Sequence, residues 1–275
     1  GAHAPSTTRT PAQAATGWLE APFAPVSLAQ LEARASMLER RDNKYVVRAP
    51  VLQAALPALA AHFDILEIDG RRGFTYDTCY FDDALMSSYF DHHRGRRKRC
   101  KVRIRRYVES NLCFVEVKLK DRRGITVKRR RAHCPSRHRV LDEAAVAHVR
   151  DAWRDLYGSE YRAVLAPVLE MRYRRVTLVA RDGGERMTID SGLVFHDADG
   201  RREIDGDVFI VETKSANGNG IADKVLRALH QHPTRHCSKY CAAAAGLGLA
   251  ARHNAFKVAL RRLGVAPLPP RARSH

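Results

Sequence analysis

A chain of 275 residues, 45% of them hydrophobic, is long enough to bury a core as one large domain or two small ones. Its formal net charge of +18 and pI near 10.1 call for a polyanionic partner or a very soluble surface. The longest apolar run, about a dozen Ala- and Gly-rich residues around Cys241–Ala251, is too short to cross a bilayer. Six cysteines without a Cys-x-x-Cys pair point to reduced thiols in a cytoplasm and away from a disulfide framework, and His236, Cys237 and Cys241 lack the second ligand pair of a zinc site.

In chain order, residues 1–26 are rich in Ala, Pro, Thr and Gly without periodicity and read as a disordered lead with no leader-peptide pattern. A short helix is predicted over Val26–Met37 with Ser27 as its cap, a strand over Leu38–Arg48, and a helix over Pro50–His62, where Val51, Leu52, Ala55, Leu56 and Leu59 recur at helical spacing. Alternating strands follow at Phe74–Phe81, Cys100–Glu109, Leu112–Leu119, Ile125–Arg131, Met171–Ala180, Glu185–Ile189, Leu193–His196 and Val208–Lys214. Helices intervene at Ala84–Tyr89, Val140–Asp155 and Ile221–His230; a basic helix over Asn254–Leu263 and a Pro- and Arg-rich tail close the chain. The order is α+β with a mainly antiparallel sheet. The folded unit is placed at residues 27–246, with 247–275 as a basic helix and tail.

Residues two apart in a strand share a face. Lys101, Arg103, Arg105 and Tyr107 therefore share one side, opposite Val102 and Ile104. Phe114, Glu116, Lys118 and Lys120 do the same against Val115, Val117 and Leu119, and Thr126, Lys128 and Arg130 against Ile125 and Val127. Arg186, Thr188 and Asp190 oppose Met187 and Ile189, while Glu212 and Lys214 oppose Val211. An ordinary solvated face mixes polar types. A face this rich in Arg and Lys would repel itself across neighbouring strands unless an anion lay between them. A sheet closed into a barrel with these faces inward would enclose a charged tunnel, in which Arg bridges phosphate oxygens as a planar fork and Lys acts as a point charge. A flat sheet would instead suit nucleic acid.

These motifs, in this order, resemble the VTC (vacuolar transporter chaperone) polyphosphate polymerase domain of the triphosphate tunnel metalloenzyme superfamily, over about Leu38–Gly246. The segments are ERRDNKYVV with Arg40, Asp42 and Lys44 on one face, YFDDALMSSYFDHHRG, RCKVRIRRY, FVEVKLK, TVKRR, YRR, RMTID, VETK and SKY. Arg40, standing where the triphosphatase and cyclase branch carries Glu, looks like the polymerase branch. The resemblance implies a closed antiparallel β-barrel, the triphosphate tunnel fold, with helices packed outside. It implies that Lys44, Arg103, Arg105, Lys118, Lys128, Arg175, Arg186 and Lys239 bind triphosphate and growing polyphosphate. Lys214 would join Arg103, Arg105, Lys118 and Lys128 on the nucleotide, and Glu212 would hold Mn²⁺ or Mg²⁺, hard cations that take carboxylate, phosphate and water oxygens. The implied reaction moves the γ-phosphoryl group of ATP onto a polyphosphate chain and releases ADP.

Glu116 and Asp190 stand behind Glu212 as groups that orient the cations or assist the metal. Tyr45, Tyr80, Tyr89, Tyr107 and Tyr173 read as packing residues. Lys120, Arg122, Arg123, Arg129 and Arg131 fall on a hairpin, solvated or forming a funnel at a tunnel mouth, and His92 and His93 are assigned no chemistry. The alternatives are a metal-dependent triphosphate hydrolase and a non-catalytic polyphosphate-binding module, for which Glu212 would be dispensable. Nucleic acid is disfavoured because no aromatic platform interleaves with the basic strands. ATP and polyphosphate are the expected partners, and a separate membrane partner is compatible with the absence of an apolar span.

Overall fold

The computed structural model describes residues 16–35, 40–250 and 254–269. Eleven strands form one sheet. They are β1 (Ala24–Val26), β2 (Arg41–Arg48), β3 (Phe63–Leu66), β4 (Phe74–Asp82), β5 (Cys100–Tyr107), β6 (Leu112–Lys120), β7 (Thr126–Ala132), β8 (Ala166–Ala180), β9 (Arg186–His196), β10 (Arg201–Glu203) and β11 (Val208–Ser215). The main path runs β2-β11-β9-β8-β4-β5-β6-β7, antiparallel at every step. β3 pairs with β8 and β1, and β10 with β9.

The helices sit where the strands leave apolar side chains uncovered. They are α1 (Gly17–Glu20), α2 (Leu28–Arg34), α3 (Ala49–Ala60), α4 (Ser87–His93), α5 (Glu143–Tyr157), α6 (Ile221–Ala228), α7 (Lys239–Gly246) and α8 (Lys257–Leu263). α3 and α6 cover the outward residues Tyr45, Val47, Met187, Ile189, Phe209 and Val211 of one half of the sheet. Across the other half, Ala145, Val149 and Ala152 of α5 pack on Val102, Ile104, Val115 and Val117. A third core lies inside the curl, where α7 and α8 pack against Val46, Tyr80, Met171, Phe195 and Ile210. The inner face is therefore apolar at one end and cationic beyond it.

Several boundaries follow local chemistry. Ser27 caps α2 as expected, its Oγ accepting from the Gln30 amide at 3.2 Å; the expected end of that helix at Met37 and the expected strand start at Leu38 lie outside the described residues. α4 begins later than the Ala84 start expected. The Asp82 carboxylate instead takes the Ser88 and Tyr89 amides (3.0 and 3.1 Å) and the Asp83 carboxylate takes that of Ser87, which fixes the first turn there. α5 starts at its Asp142 cap and stops at Gly158, whose φ of +71° is the left-handed conformation that ends helices.

Four expectations are corrected. Residues 16–26, read as part of a disordered lead, form α1 and β1 and bury Leu19, Phe23 and Val26. Glu185–Ile189 and Leu193–His196, expected as two strands, are one: Gly192 at φ +63° is accommodated where the β8–β9 register shifts between Arg172 and Arg174. Most consequentially, the barrel is not closed by hydrogen bonds, since β2 and β7 end the path and do not pair. The free edge of β2 is already engaged, with the Thr234 amide donating to the Lys44 carbonyl at 2.7 Å. The sheet is a strongly curled, open half-barrel. Leu247, Leu260, Leu263 and Val265, from the expected tail, belong to its inner core.

Among the described residues no helix is long and apolar enough to cross a membrane.

A cationic inner face as the candidate active site

The register places the charged residues on the concave side. On β5 and β6 the inward pairs are Lys101 with Lys118, Arg103 with Glu116 and Arg105 with Phe114, and Lys118 then pairs with Lys128 of β7. On the other half Arg175 pairs with Asp190, Lys214 with Arg186, and Glu212 with both Thr188 and Lys44. Strand tilt in the curled sheet brings residues from the two ends of the path to one cavity of about 350 Å³. Asp42, Lys44, Lys101, Lys118 and Glu212 line it, closed in by His92 from α4 and by the Thr234–Ser238 segment.

Two buried carboxylates divide the cations. Glu116, fully buried, receives Arg103 Nε at 2.9 Å, Arg105 Nη1 at 3.4 Å and Lys128 Nζ at 2.6 Å. Burial alone would raise its pKa, but Arg103, Arg105 and Lys128 outweigh burial and hold it well below the usual carboxylate range. Asp190 accepts both Nε and Nη2 of Arg175, at 2.7 and 2.9 Å, and an ion pair from Lys239 at 2.8 Å. Burial opposes its ionisation, yet Arg175 and Lys239 bring it down to about 2. Arg105 also donates to the Tyr173 hydroxyl at 2.8 Å. The guanidinium of Arg175 and the ammonium of Lys239 face the same ring, at 5.5 and 5.0 Å from its centroid. Burial would raise the Tyr173 phenol, and Arg105, Arg175 and Lys239 together pull it below its ordinary value.

Other cations have no such partner. Among the described residues no carboxylate lies within ion-pair distance of Lys44, Lys101, Lys118 or Arg186. Burial, reinforced by Lys44, lowers Lys101 to about 7. Lys118 is held well below an ordinary lysine by Arg103, then by burial and Lys101. Arg186 is lowered by burial, with Arg175 and Arg40 adding to it. Half-buried cations set this close together without carboxylates make a site that gains when an anion enters.

Two carboxylates also reach the cavity. Lys214 Nζ stands between Asp42 (3.3 Å) and Glu212 (3.2 Å), so this pair already holds a cation. Burial would raise Glu212, but Lys44 first, then Lys214 and Lys118, keep it ionised well below its usual pKa. Hard oxygen donors here suit Mg²⁺ or Mn²⁺. No group of three or more His, Cys, Asp or Glu among the described residues could hold a metal, so phosphate and water oxygens would supply the remaining ligands.

The structure thus puts every sequence-derived site residue on the inner face, but in different states. Lys44, Lys118 and Glu212 line the cavity; Arg103, Arg105, Lys128, Arg175 and Lys239 are tied to Glu116 or Asp190; Lys214 is tied to Asp42 and Glu212; Arg186 lies beside Arg175 and Arg40. Glu116 and Asp190, at 0% and 1% exposure, are paired with the cations they orient. Sequence reasoning missed Lys101 as a site residue, although its strand alternation placed it on the charged side. It also missed His92 and the Thr234–Ser238 segment, which carry no periodic signal.

The VTC domain family model matches residues 39–247. The chain belongs to the VTC domain family. The match begins just before β2 and ends just after α7, so the VTC domain includes every strand that lines the cavity. No curated protein matches the sequence. Among solved structures, the VTC domain is similar to a candidate adenylyl cyclase from Hippeastrum described as having a dominant triphosphatase activity, at 15% identity over 76% of this chain and 96% of that one, with a TM-score of 0.47. It is similar to a candidate adenylate cyclase from Bacillus halodurans (14% identity, 72% and 95% coverage, TM-score 0.46) and more distantly to the Pct1 RNA triphosphatase of S. pombe (12%, 60% and 49%, 0.20). Likenesses this loose carry no functional weight.

Proposed function

We propose that this VTC domain is a metal-dependent phosphotransferase that moves the γ-phosphoryl group of ATP onto an inorganic polyphosphate chain and releases ADP. The observation that carries this reading is the trio Lys44, Lys101 and Lys118, which have no carboxylate at ion-pair distance among the described residues, around one cavity with the ionised Glu212. Such a cavity favours a ligand bearing several negative charges and many oxygens, as a triphosphate does.

In this reading a terminal phosphate oxygen of the chain attacks the γ-phosphorus, the bond from that phosphorus to the β–γ bridging oxygen breaks, and ADP leaves with the electron pair. Transfer of this kind asks for in-line positioning and neutralisation of charge more than for a covalent nucleophile. Lys44, Lys101 and Lys118 neutralise phosphate oxygens, while Arg103 and Arg105, fixed by Glu116, present guanidinium edges at set positions. Arg175 and Lys239, fixed by Asp190, hold a guanidinium and an ammonium in set positions, and Arg186 offers a further cation. Glu212, with Asp42 beside it, would hold Mg²⁺ or Mn²⁺, which would supply charge neutralisation on the triphosphate when bound. Lys214, which bridges these two carboxylates, would be free to meet the nucleotide once a metal took its place.

The test is to incubate purified protein with ATP and Mn²⁺ or Mg²⁺ and resolve ADP, free phosphate and acid-labile polymer, beside Glu212→Ala. Polymer with ADP, lost in the variant, is expected. Free phosphate without polymer would replace the polymerase by a hydrolase, and tight phosphate binding without turnover would leave a binding module.

A further inference from the structure

The Arg94–Arg99 loop and the turn between β6 and β7 are separate in sequence but fastened together in space. The Tyr157 hydroxyl lies between their backbones: it donates to the Lys120 carbonyl at 2.6 Å and accepts from the Arg99 and Lys120 amides at 3.4 and 3.3 Å. Arg97 Nη2 donates to the Arg122 carbonyl at 3.1 Å, and Lys98 Nζ lies 5.9 Å from the Tyr157 ring centroid. Two strongly basic segments are thus fixed side by side with little internal neutralisation. Asp91 meets Arg96 at 3.6 Å; one Asp121 oxygen takes the turn amides of Arg123 and Ile125 and the other meets Arg123 Nε only at 3.9 Å, so two carboxylates stand against the Arg and Lys side chains of both loops. Like charges fixed this closely favour an anion along them.

Position decides which anion. Arg99 and Lys120 line the cavity, while Arg97, Lys98, Arg122 and Arg123 continue the same charge outward over exposed surface. Resting on the phosphate-chain reading above, we propose that these loops form a docking track for the part of a long inorganic phosphate chain that lies outside the cavity. A triphosphate held within the cavity has no use for such a track; a chain does, because each added contact raises retention without a new site. An anionic membrane surface is a poorer fit, since none of the exposed large apolar side chains falls in either loop to act as an anchor.

The experiment compares Arg97→Gln/Lys98→Gln/Arg122→Gln/Arg123→Gln, which leaves the cavity lining intact, with the unmodified protein. Each is titrated calorimetrically with tripolyphosphate and with chains of about a hundred phosphates, for which multivalent contact multiplies affinity. Affinity for the long chain is expected to fall roughly tenfold or more, with tripolyphosphate affinity held within about twofold. The unmodified protein's long-chain affinity is also expected to drop more steeply with salt than its tripolyphosphate affinity, a difference the variant should lose. Equal losses for both ligands, or none, would overturn the track, as would tighter binding of single-stranded RNA or phosphatidylserine vesicles than of the long chain at the same salt. Failure of the cavity reading looks different: the unmodified protein would not bind tripolyphosphate at all.

Discussion

Lys101 and Lys118 differ from Arg103 and Arg105 beside them in having no carboxylate at ion-pair distance among the described residues, although both are half-buried in the cavity wall. With Lys101 brought down to about 7, a phosphate that binds at pH 8 restores its proton, and Lys118 acts in the same direction. Tripolyphosphate affinity is therefore expected to fall from pH 7 to 9. Calorimetry at pH 8 in buffers of different ionisation enthalpy should show proton uptake that is reduced in Lys101→Met. Without phosphate the sign on stability is opposite to a favourable ion pair. Unfolded lysine keeps its proton to about 10.4 while folded Lys101 keeps it only to about 7, so its destabilising contribution is full below that value and fades as pH rises through the window. Glu116 is the contrasting case. Glu116→Gln leaves Arg103, Arg105 and Lys128 without their shared counter-charge, a loss of about 3–5 kcal/mol, readable as a fall in Tm of roughly ten degrees. A Tm unchanged in that variant would show the cations to be held otherwise.

At the scale of elements, strand pleating made the concave face legible: alternation in KVRIRRY, FVEVKLK and TVKRR put Arg103, Lys118 and Lys128 on the side where pairing places them. What alternation does not encode is how far a sheet curls or what meets its free edge. Closure was expected, yet the Thr234 amide takes the Lys44 carbonyl at the edge of β2. Nor did the apolar Cys241–Ala245 run announce that α7 would plug one end of the curl. Its anchor is a long-range contact, the Tyr240 hydroxyl donating to Asp82 at 2.6 Å, from a carboxylate that also caps α4. Tyr240→Phe should cost about 1.5–3 kcal/mol, the usual value for a hydrogen bond to a charged group, measured as a shift in the urea midpoint. A change below about 0.5 kcal/mol would mean that apolar packing alone seats the helix.

For the whole molecule, the 48 Lys and Arg side chains behind the +18 net charge are organised by geometry rather than spread evenly. Some are neutralised internally by Glu116 and Asp190 and serve as scaffold; others, Lys44, Lys101 and Lys118, face the cavity with no carboxylate at ion-pair distance among the described residues. Composition revealed the excess and strand spacing its side, but the division between paired and unpaired cations needed the register of seven strands and the path of the chain after Gln231. The most direct measurement of that division is tripolyphosphate affinity, by calorimetry at pH 7.5 and low salt, in the unmodified protein, Lys118→Met and Lys128→Met. Removing the unpaired Lys118 is predicted to weaken binding by roughly tenfold or more, as for loss of a desolvated charge contact, and removing the Glu116-bound Lys128 by distinctly less. Equal losses, or a larger one for Lys128, would contradict the account.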